Sequence, residues 1–314
     1  MKLLVTGGAG YIGSHIVWQA QQAGLECTVI DNLSTGLGDR VSCEVAQIDL
    51  AAESAIGQLE KLLSKGFDAV IHLAARKQVG ESVEKPELYF KDNIGGLANL
   101  LLAMRSTSHH KLVFSSSAAT YGMPNKDSVS EDDPTTPINP YGQTKLIGEW
   151  MSANAKQWGL RAVSLRYFNV AGTGKAGLAD TAALNLIPIA IGQLRAGKSP
   201  VVFGNDYPTP DGSCIRDYVH VNDLALAHIA AVDYLGRESR PFDVFNIGTG
   251  KGASVIEVLD ELKKVSGLNF QYEVSERRAG DPPKLVANVD RMEKELGLKA
   301  RYGLTEIIDS AWNL

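Results

Sequence analysis

At 314 residues, with 44% hydrophobic and 21% charged side chains, the chain has material for a large buried core and two lobes. Its 36 Asp and Glu against 31 Lys and Arg give a net charge of −5, and no basic run is long enough for a nucleic-acid or membrane surface. No apolar stretch approaches the ~18 residues of a membrane-spanning helix.

The first element is Lys2-Leu3-Leu4-Val5, an apolar strand that runs into Thr6-Gly7-Gly8-Ala9-Gly10-Tyr11-Ile12-Gly13. Gly8, Gly10 and Gly13 fit G-x-G-x-x-G, and Gly7, Gly10 and Gly13 fit G-x-x-G-x-x-G. Glycine permits a tight turn, lets a pyrophosphate approach the backbone and lets the next helix pack close. That helix, expected over Ser14 to Ala23, would present free N–H groups to phosphates. A glycine turn alone also matches an ordinary strand–turn–helix. The context adds weight, because Cys27-Thr28-Val29-Ile30 reads as a second strand closed by Asp31, 18 residues beyond Gly13. A carboxylate there bonds an adenosine ribose and repels a 2′-phosphate, which favours NAD over NADP.

Helix-like and strand-like segments then alternate. Glu53 to Lys65 has helical spacing, Phe67 to Leu73 reads as a strand buried on both faces, and Leu88 to Met104 as a helix. Lys111-Leu112-Val113-Phe114 is a strand ending in Ser115-Ser116-Ser117. Pro134, Pro137 and Pro140 punctuate a loop before a helix over Tyr141 to Trp158, and Ala162 to Tyr167 is strand-like. This order predicts a doubly wound parallel sheet of the Rossmann type, with ligands at the carboxyl ends of its strands. Beyond about Asn169 the pattern loosens into short elements and Gly/Pro turns. The expected division is a dinucleotide-binding domain over 1–169 and a smaller α/β substrate lobe over 170–314, with some segments returning to the first.

Tyr141 and Lys145 stand four residues apart on the expected helix and so share a face. A free Tyr has a pKa near ~10 and is a poor base at neutral pH. A neighbouring ammonium and a positive nicotinamide ring would favour its phenolate. The spacing by itself is weak; its weight comes from following a glycine turn and a serine-tipped strand. Cys27, Cys43 and Cys214 are too few and too scattered for a disulfide framework or a zinc site, and His109-His110 reads as a solvated pair. No metal is expected. A strand beginning at Lys2 leaves no room for a secretory signal, so a cytoplasmic protein is expected.

Together these residues make the chain resemble the extended short-chain dehydrogenases/reductases and, within them, the UDP-glucose 4-epimerases. The resemblance runs over essentially the whole chain. Beyond the glycine turn and Tyr-x-x-x-Lys it rests on Val79-Gly80-Glu81-Ser82, Leu165-Arg166-Tyr167-Phe168-Asn169, Phe203 through Pro208 and Arg216-Asp217-Tyr218-Val219-His220-Val221. It implies Tyr141 as catalytic base, Lys145 as ribose clamp and Ser117 as the hydroxyl sharing the substrate 4-OH proton. It implies a tightly bound NAD lined by Gly7, Gly10, Tyr11, Ile12, Gly13, Asp31, Asn32, Asp49, Leu50, Leu73, Ala74, Lys77, Asn93, Ser115 and Phe168, together with Tyr141 and Lys145. It implies a UDP-sugar held by Lys77, Ser117, Tyr141, Asn169, Asn185, Phe203, Arg216, Arg278, Asp281 and Leu285. Taken alone, Arg216 and Arg278 could as well be surface ion pairs, and Phe203 reads as core.

The reaction so implied is inversion of the sugar C4 through a 4-keto intermediate, between UDP-glucose and UDP-galactose, with NAD storing the hydride. The alternatives are epimerisation of an N-acetylated UDP-hexose or a UDP-pentose, a dehydrogenase of nucleotide sugars, or a non-catalytic NAD sensor. A 4,6-dehydratase would carry a carboxylate after the serine strand, where this chain has Ala118, Ala119 and Thr120. Two stretches depart from the family pattern. Asn93-Ile94-Gly95-Gly96-Leu97 replaces Asn-Val-x-Gly-Thr, and Ala118-Ala119-Thr120-Tyr121 replaces Ala-Thr-Val-Tyr. The resemblance also implies a homodimer pairing the helices near Leu88–Met104 and Tyr141–Trp158. The segment Arg277 to Leu285 resembles the stretch that closes over the hexose. Its last residue stands where relatives gate the pocket beside the sugar C2.

Overall fold

In a computed structural model, residues 1–182, 184–237, 240–278 and 280–313 are described. Ala279, inside the segment expected to close over the hexose, lies outside them. The first half of the chain builds β1 (Lys2–Thr6), α1 (Tyr11–Gln22), β2 (Glu26–Asp31), β3 (Val45–Gln47), α2 (Ala55–Leu63) and β4 (Ala69–His72). It continues through α3 (Val79–Glu84), α4 (Pro86–Tyr89), α5 (Gly96–Ser106), β5 (Lys111–Ser117), α6 (Pro140–Asn154) and β6 (Arg161–Tyr167). β7 (Asn169–Ala171), α7 (Leu186–Arg195), β8 (Val201–Phe203), β9 (Ile215–His220), α8 (Val221–Arg237) and β10 (Phe242–Ile247) follow. The last elements are β11 (Gly252–Ser254), α9 (Val255–Ser266), β12 (Glu273–Ser275), β13 (Lys284–Leu285) and α10 (Leu304–Asn313).

The strands expected from apolar runs form one sheet of seven, in the order β10-β6-β5-β4-β1-β2-β3, parallel at every pairing. Strands such as Leu3–Val5 and Ala69–Ile71 are buried, because helices cover both faces. The seventh strand, β10, comes from far beyond residue 170. α8 packs on α1, and the two share a core with Val5, Ile16, Val29 and Phe245. Residues 221–237 and 242–247 therefore pack with the first half of the chain, and Met292 and Leu296 join the same core. The remainder of the second half forms a smaller unit, in which β9 pairs with β7, β11 and β13 and β8 pairs with β12. It has a core of its own, including Ile187, Val202, Val258, Leu262 and Ile308.

The helix expected over Leu88 to Met104 is not uniform. α4 widens into a π turn at Phe90–Gly95 before continuing as α5. A π turn re-aims a side chain that a regular helix would leave elsewhere, and here it carries the buried Asn93. Likewise the helix expected to Trp158 ends at Asn154 and closes as one 3₁₀ turn, Ala155–Trp158, with Gly159 left-handed at its end.

Behind the serine tip of β5 lies a buried ionic lock. Arg166 of β6 and Glu149 of α6 are 6% and 3% exposed and pair twice, Nε to Oε1 at 2.9 Å and Nη2 to Oε2 at 2.7 Å. The Ser116 hydroxyl donates to Glu149 Oε1 at 2.5 Å. Arg166 Nη1 donates to the Glu131 carbonyl at 3.2 Å, and the guanidinium lies 4.9 Å from the centre of the Tyr121 ring. Tyr121 in turn donates to Asn246 of β10 at 2.7 Å. Two strands, a helix and two loops thus meet at one cation.

Removing one partner from a buried pair leaves the other charge desolvated and uncompensated, which costs about 3–5 kcal/mol. Glu149→Gln keeps size and hydrogen bonding but not charge. It should lower the unfolding free energy by about 3 kcal/mol, at the low end of that range, read as a lower urea midpoint at unchanged slope. A loss below about 1 kcal/mol would mean that the lock carries little of the stability.

Candidate active site

The glycine turn leaves β1 at the carboxyl edge of the sheet. Gly7 has φ +70°, and a Cβ there would sit 2.8 Å from the Ala74 backbone nitrogen. A Cβ on Gly13 would stand 2.2 Å from the Gly7 carbonyl, so only glycine lets α1 approach the turn. Gly10 caps α1 without a side-chain bond, which leaves the N–H groups of its first turn open to an anion. Ile12 lies in that same first turn. The cradle therefore fits a dinucleotide pyrophosphate by its shape and its exposed donors.

Asp31 ends β2 as expected. It is buried, its Oδ2 accepts from the Ala9 N–H at 3.1 Å, and its Oδ1 accepts from the Leu33 N–H at 2.9 Å. The carboxylate so braces the glycine turn, and its remaining lone pairs fit a ribose diol. Asn32 accepts from the N–H and the hydroxyl of Ser34. Asp49 is exposed and accepts from the Ala51 N–H. Leu50 is buried, with its carbonyl held by Asn99. Leu73 and Ala74 follow β4 and donate their N–H groups to the carbonyl and the hydroxyl of Thr6. Tyr11 spends its hydroxyl on the Gly172 carbonyl at 2.5 Å, so that hydroxyl is already committed within the protein.

Asn93 uses its amide on the protein as well. Its Oδ1 accepts from the Arg76 N–H at 2.8 Å, and its Nδ2 donates to the Arg76 carbonyl at 3.1 Å and to Thr144 Oγ1 at 3.0 Å. It fastens the loop carrying the exposed Lys77 to α6. Sequence reading places Asn93 beside the cofactor; in the fold its amide also braces that loop against the helix bearing Tyr141.

α6 is capped by Asn139, which accepts from the Gly142 N–H, and begins with Pro140. Tyr141 and Lys145 are therefore on its first turns and are both buried. The Lys145 ammonium donates to the Ser115 carbonyl at 2.8 Å and stands 5.8 Å from the centre of the Tyr141 ring. Burial lowers the Lys145 pKa to about 8. Burial raises that of Tyr141 while the Ser117 hydroxyl opposes the rise. The drop expected for Tyr141 is thus absent among the protein's own groups, because desolvation of the phenolate outweighs them. The positive ring of a bound nicotinamide is the contribution left to reverse it. Ser117 caps the turn Ala118–Tyr121, its Oγ accepting from the Ala119 N–H at 3.1 Å.

On the other side of the cleft, β9 carries Arg216, and β13 sets Leu285 in register with it. Arg216 donates to the carbonyls of Ile215 and Pro282 at 2.9 and 2.7 Å and pairs with Asp281 at 3.4 Å. The Arg278 guanidinium lies 3.9 Å over the ring of Phe203, so that ring is covered by a cation rather than by an apolar core. Asn169 opens β7 opposite Tyr218, and Asn185 opens α7, reaching the Val170 carbonyl at 3.4 Å. Leu285 packs in one buried cluster with Ala118, Tyr121 and Phe168, next to Ser117.

Sequence reading missed the lock of Arg166 and Glu149. A signal for it was present: Tyr141, Lys145 and Glu149 recur every four residues on one helix face, and Arg166 is a cation inside an apolar strand. It also missed Asp217, which is fully buried and accepts from Thr249 N–H and hydroxyl, Gly250 N–H and Ala287 N–H. His109 is half-buried and its ring accepts the Phe67 N–H at 3.3 Å, so it is a loop brace rather than a solvated side chain.

Residues 3–248 match the profile of the NAD dependent epimerase/dehydratase family. The chain is 43% identical over 318 residues to a UDP-glucose 4-epimerase of Corynebacterium glutamicum, covering 99% of this chain and 95% of that one. Its fold superposes with a TM-score of 0.94 on a UDP-glucose-4-epimerase of Stenotrophomonas maltophila, solved with bound NAD and formylated UDP-arabinopyranose, at 37% identity over 100% of this chain and 97% of that one. The enzyme of Brucella ovis in complex with NAD also superposes at 0.94, at 41% identity over 99% and 97% of the two chains. The chain belongs to the NAD dependent epimerase/dehydratase family.

Proposed function

We propose that this chain is an NAD-dependent epimerase that interconverts UDP-glucose and UDP-galactose by inverting C4. The observation that carries the reading is the buried Tyr141 and Lys145 on one face of α6, beside Ser117 at the tip of β5. They lie at the same carboxyl edge of the sheet as the glycine turn and Asp31. The cofactor residues are those of the glycine turn, with Asp31, Asn32, Asp49, Leu50, Leu73, Ala74, Lys77, Ser115 and Phe168 around them. NAD, when bound, supplies a reversible acceptor for the C4 hydride.

The chain's own part is proton transfer and holding. Tyr141 takes the 4-OH proton with Ser117 sharing it, and Lys145 holds its charge beside the phenol. Arg216 and Arg278 bind the diphosphate by forked donors, with Asp281 as a partner that Arg216 can exchange for phosphate. Asn169, Asn185 and Phe203 receive the rest of the UDP moiety. The 4-keto sugar then turns about the diphosphate and shows its other face. Among the described residues no helix is long and apolar enough to cross a membrane, and three free cysteines fit a reducing cytoplasm.

UDP-galactose incubated with the purified protein and no added cofactor should give UDP-glucose by NMR. Tyr141→Phe should lower turnover at least ~100-fold with UDP binding retained. A variant within threefold of wild type would remove Tyr141 from the reaction.

Leu285 sits in the apolar cluster beside Ser117, where its bulk borders the sugar. The preferred pair is UDP-glucose and UDP-galactose, with N-acetylated sugars accepted more slowly, since a few apolar contacts discriminate by only ~1–3 kcal/mol. Leu285→Tyr should raise the kcat/KM ratio of UDP-galactose over UDP-N-acetylgalactosamine. An unchanged ratio assigns the selection elsewhere.

A homodimer is supported by apolar side chains left bare on the helices around the site: Val83, Leu102 and Trp150 are 62%, 52% and 56% exposed. Trp150→Glu should shift sedimentation from dimer to monomer. Wild type sedimenting as a monomer would refute the dimer.

A further inference from the structure

Ser115 is the point where two parts of the catalytic centre meet. Its carbonyl takes the Lys145 ammonium at 2.8 Å. Its hydroxyl lies 2.8 Å from Nε2 of His228 on α8. His228 is fully buried, and the Tyr167 ring centre is 6.2 Å from its own. Its Nδ1 is 2.9 Å from the Leu224 carbonyl.

A carbonyl only accepts, so Nδ1 carries the proton and Nε2 is a bare acceptor. The Ser115 hydroxyl must then donate to Nε2. Burial lowers the His228 pKa to about 4, so the ring stays neutral and the direction of this string does not reverse near neutral pH. Nothing in the reaction above uses His228.

We propose that His228 is a positioning residue: by accepting the Ser115 proton it fixes the Ser115 side chain and so holds the end of β5 whose carbonyl anchors Lys145. The inference rests on the epimerase reading, because it assigns His228 a place behind Tyr141 and Lys145.

The two ring nitrogens are separable by substitution. Asn at this position offers an amide where Nδ1 lies, and Gln offers one where Nε2 lies. With UDP-galactose as substrate, His228→Asn should lower kcat about ten- to hundredfold, with KM and UDP affinity within twofold of wild type. His228→Gln should restore kcat to within threefold of wild type. Ser115→Ala should reproduce the loss of the Asn variant, and combining the two should cost nothing further. Equal losses in Asn and Gln, a parallel rise of KM, or losses that multiply in the double variant would each overturn the proposal. If the position-228 variants do not fold, wild-type kcat in Ser115→Ala overturns it equally. A wild type that does not turn over UDP-galactose fails the epimerase reading itself, and this proposal with it; an active wild type with an active Asn variant fails this proposal alone.

Discussion

One buried cation organises the catalytic end of the sheet. A guanidinium inside protein is tolerable only when its donors and its charge are answered. Arg166 is answered by a carboxylate from a helix, a carbonyl from a loop and the face of an aromatic ring. Each answering group comes from a different element, so none can move without stranding charge. The elements so pinned bear the groups proposed to react: β5 ends in Ser115–Ser117, and α6 carries Lys145 one turn and Tyr141 two turns before Glu149. A hydrophobic contact of the same area would hold the elements together but would allow them to slide. A bidentate ion pair fixes distance and direction together.

The same logic recurs wherever the cleft is lined by irregular backbone. Loops expose N–H groups that strands and helices would have satisfied, and buried ones need partners. Asp31 answers the glycine turn, Asn93 the Arg76–Lys77 loop, and Asp217 the loop at Thr249 and Gly250 together with Ala287. Burial pushes the Asp217 carboxyl up, opposed by the N–H and hydroxyl groups aimed at it. Asp217 lies between Arg216 and Tyr218 on β9, so by strand alternation it faces the side opposite to theirs and ties β9 to the loop at Thr249 and Gly250.

What could be read from the sequence was whatever repeats or punctuates. Buried parallel strands are short apolar runs, and glycine at the first turn has a steric reason at Gly7 and Gly13, so five of the sheet's seven strands and the cofactor cradle were legible. The return of β10 to the sheet was not, because Phe242–Ile247 pairs with β6 across some eighty residues and no local pattern encodes that partner. The π turn at Phe90–Gly95 was equally hidden, since it is a one-residue change of period within a helical run. Phe203 read as core because an aromatic in a β-run usually is; only the fold brings Arg278 over it. The site side chains were legible in kind but not in engagement: Arg216 read equally as a diphosphate clamp or an ion pair, and only the fold shows it held by Asp281 and Pro282.

The electrostatics of the centre follow from its dryness. Burial acts against whichever form is charged, so it raises the phenol of Tyr141 and lowers the ammonium of Lys145. In water the two groups hold their protons about equally well; here the two shifts part them, the phenol keeping its proton more tightly and the ammonium less. His72, beneath the same residues and fully buried, is pushed to about 3 by burial and then by the Lys145 charge, so it adds no cation of its own. Lys145 is the protein's own cation beside the phenol, yet burial still holds the phenol up, so in the proposed reaction the positive ring of a bound nicotinamide would supply the further pull toward phenolate. In the proposed reaction, a base strengthened by an oxidised cofactor would take its proton where a hydride acceptor is also in place. That coupling is what a redox-neutral inversion requires, because a sugar deprotonated without hydride loss returns unchanged.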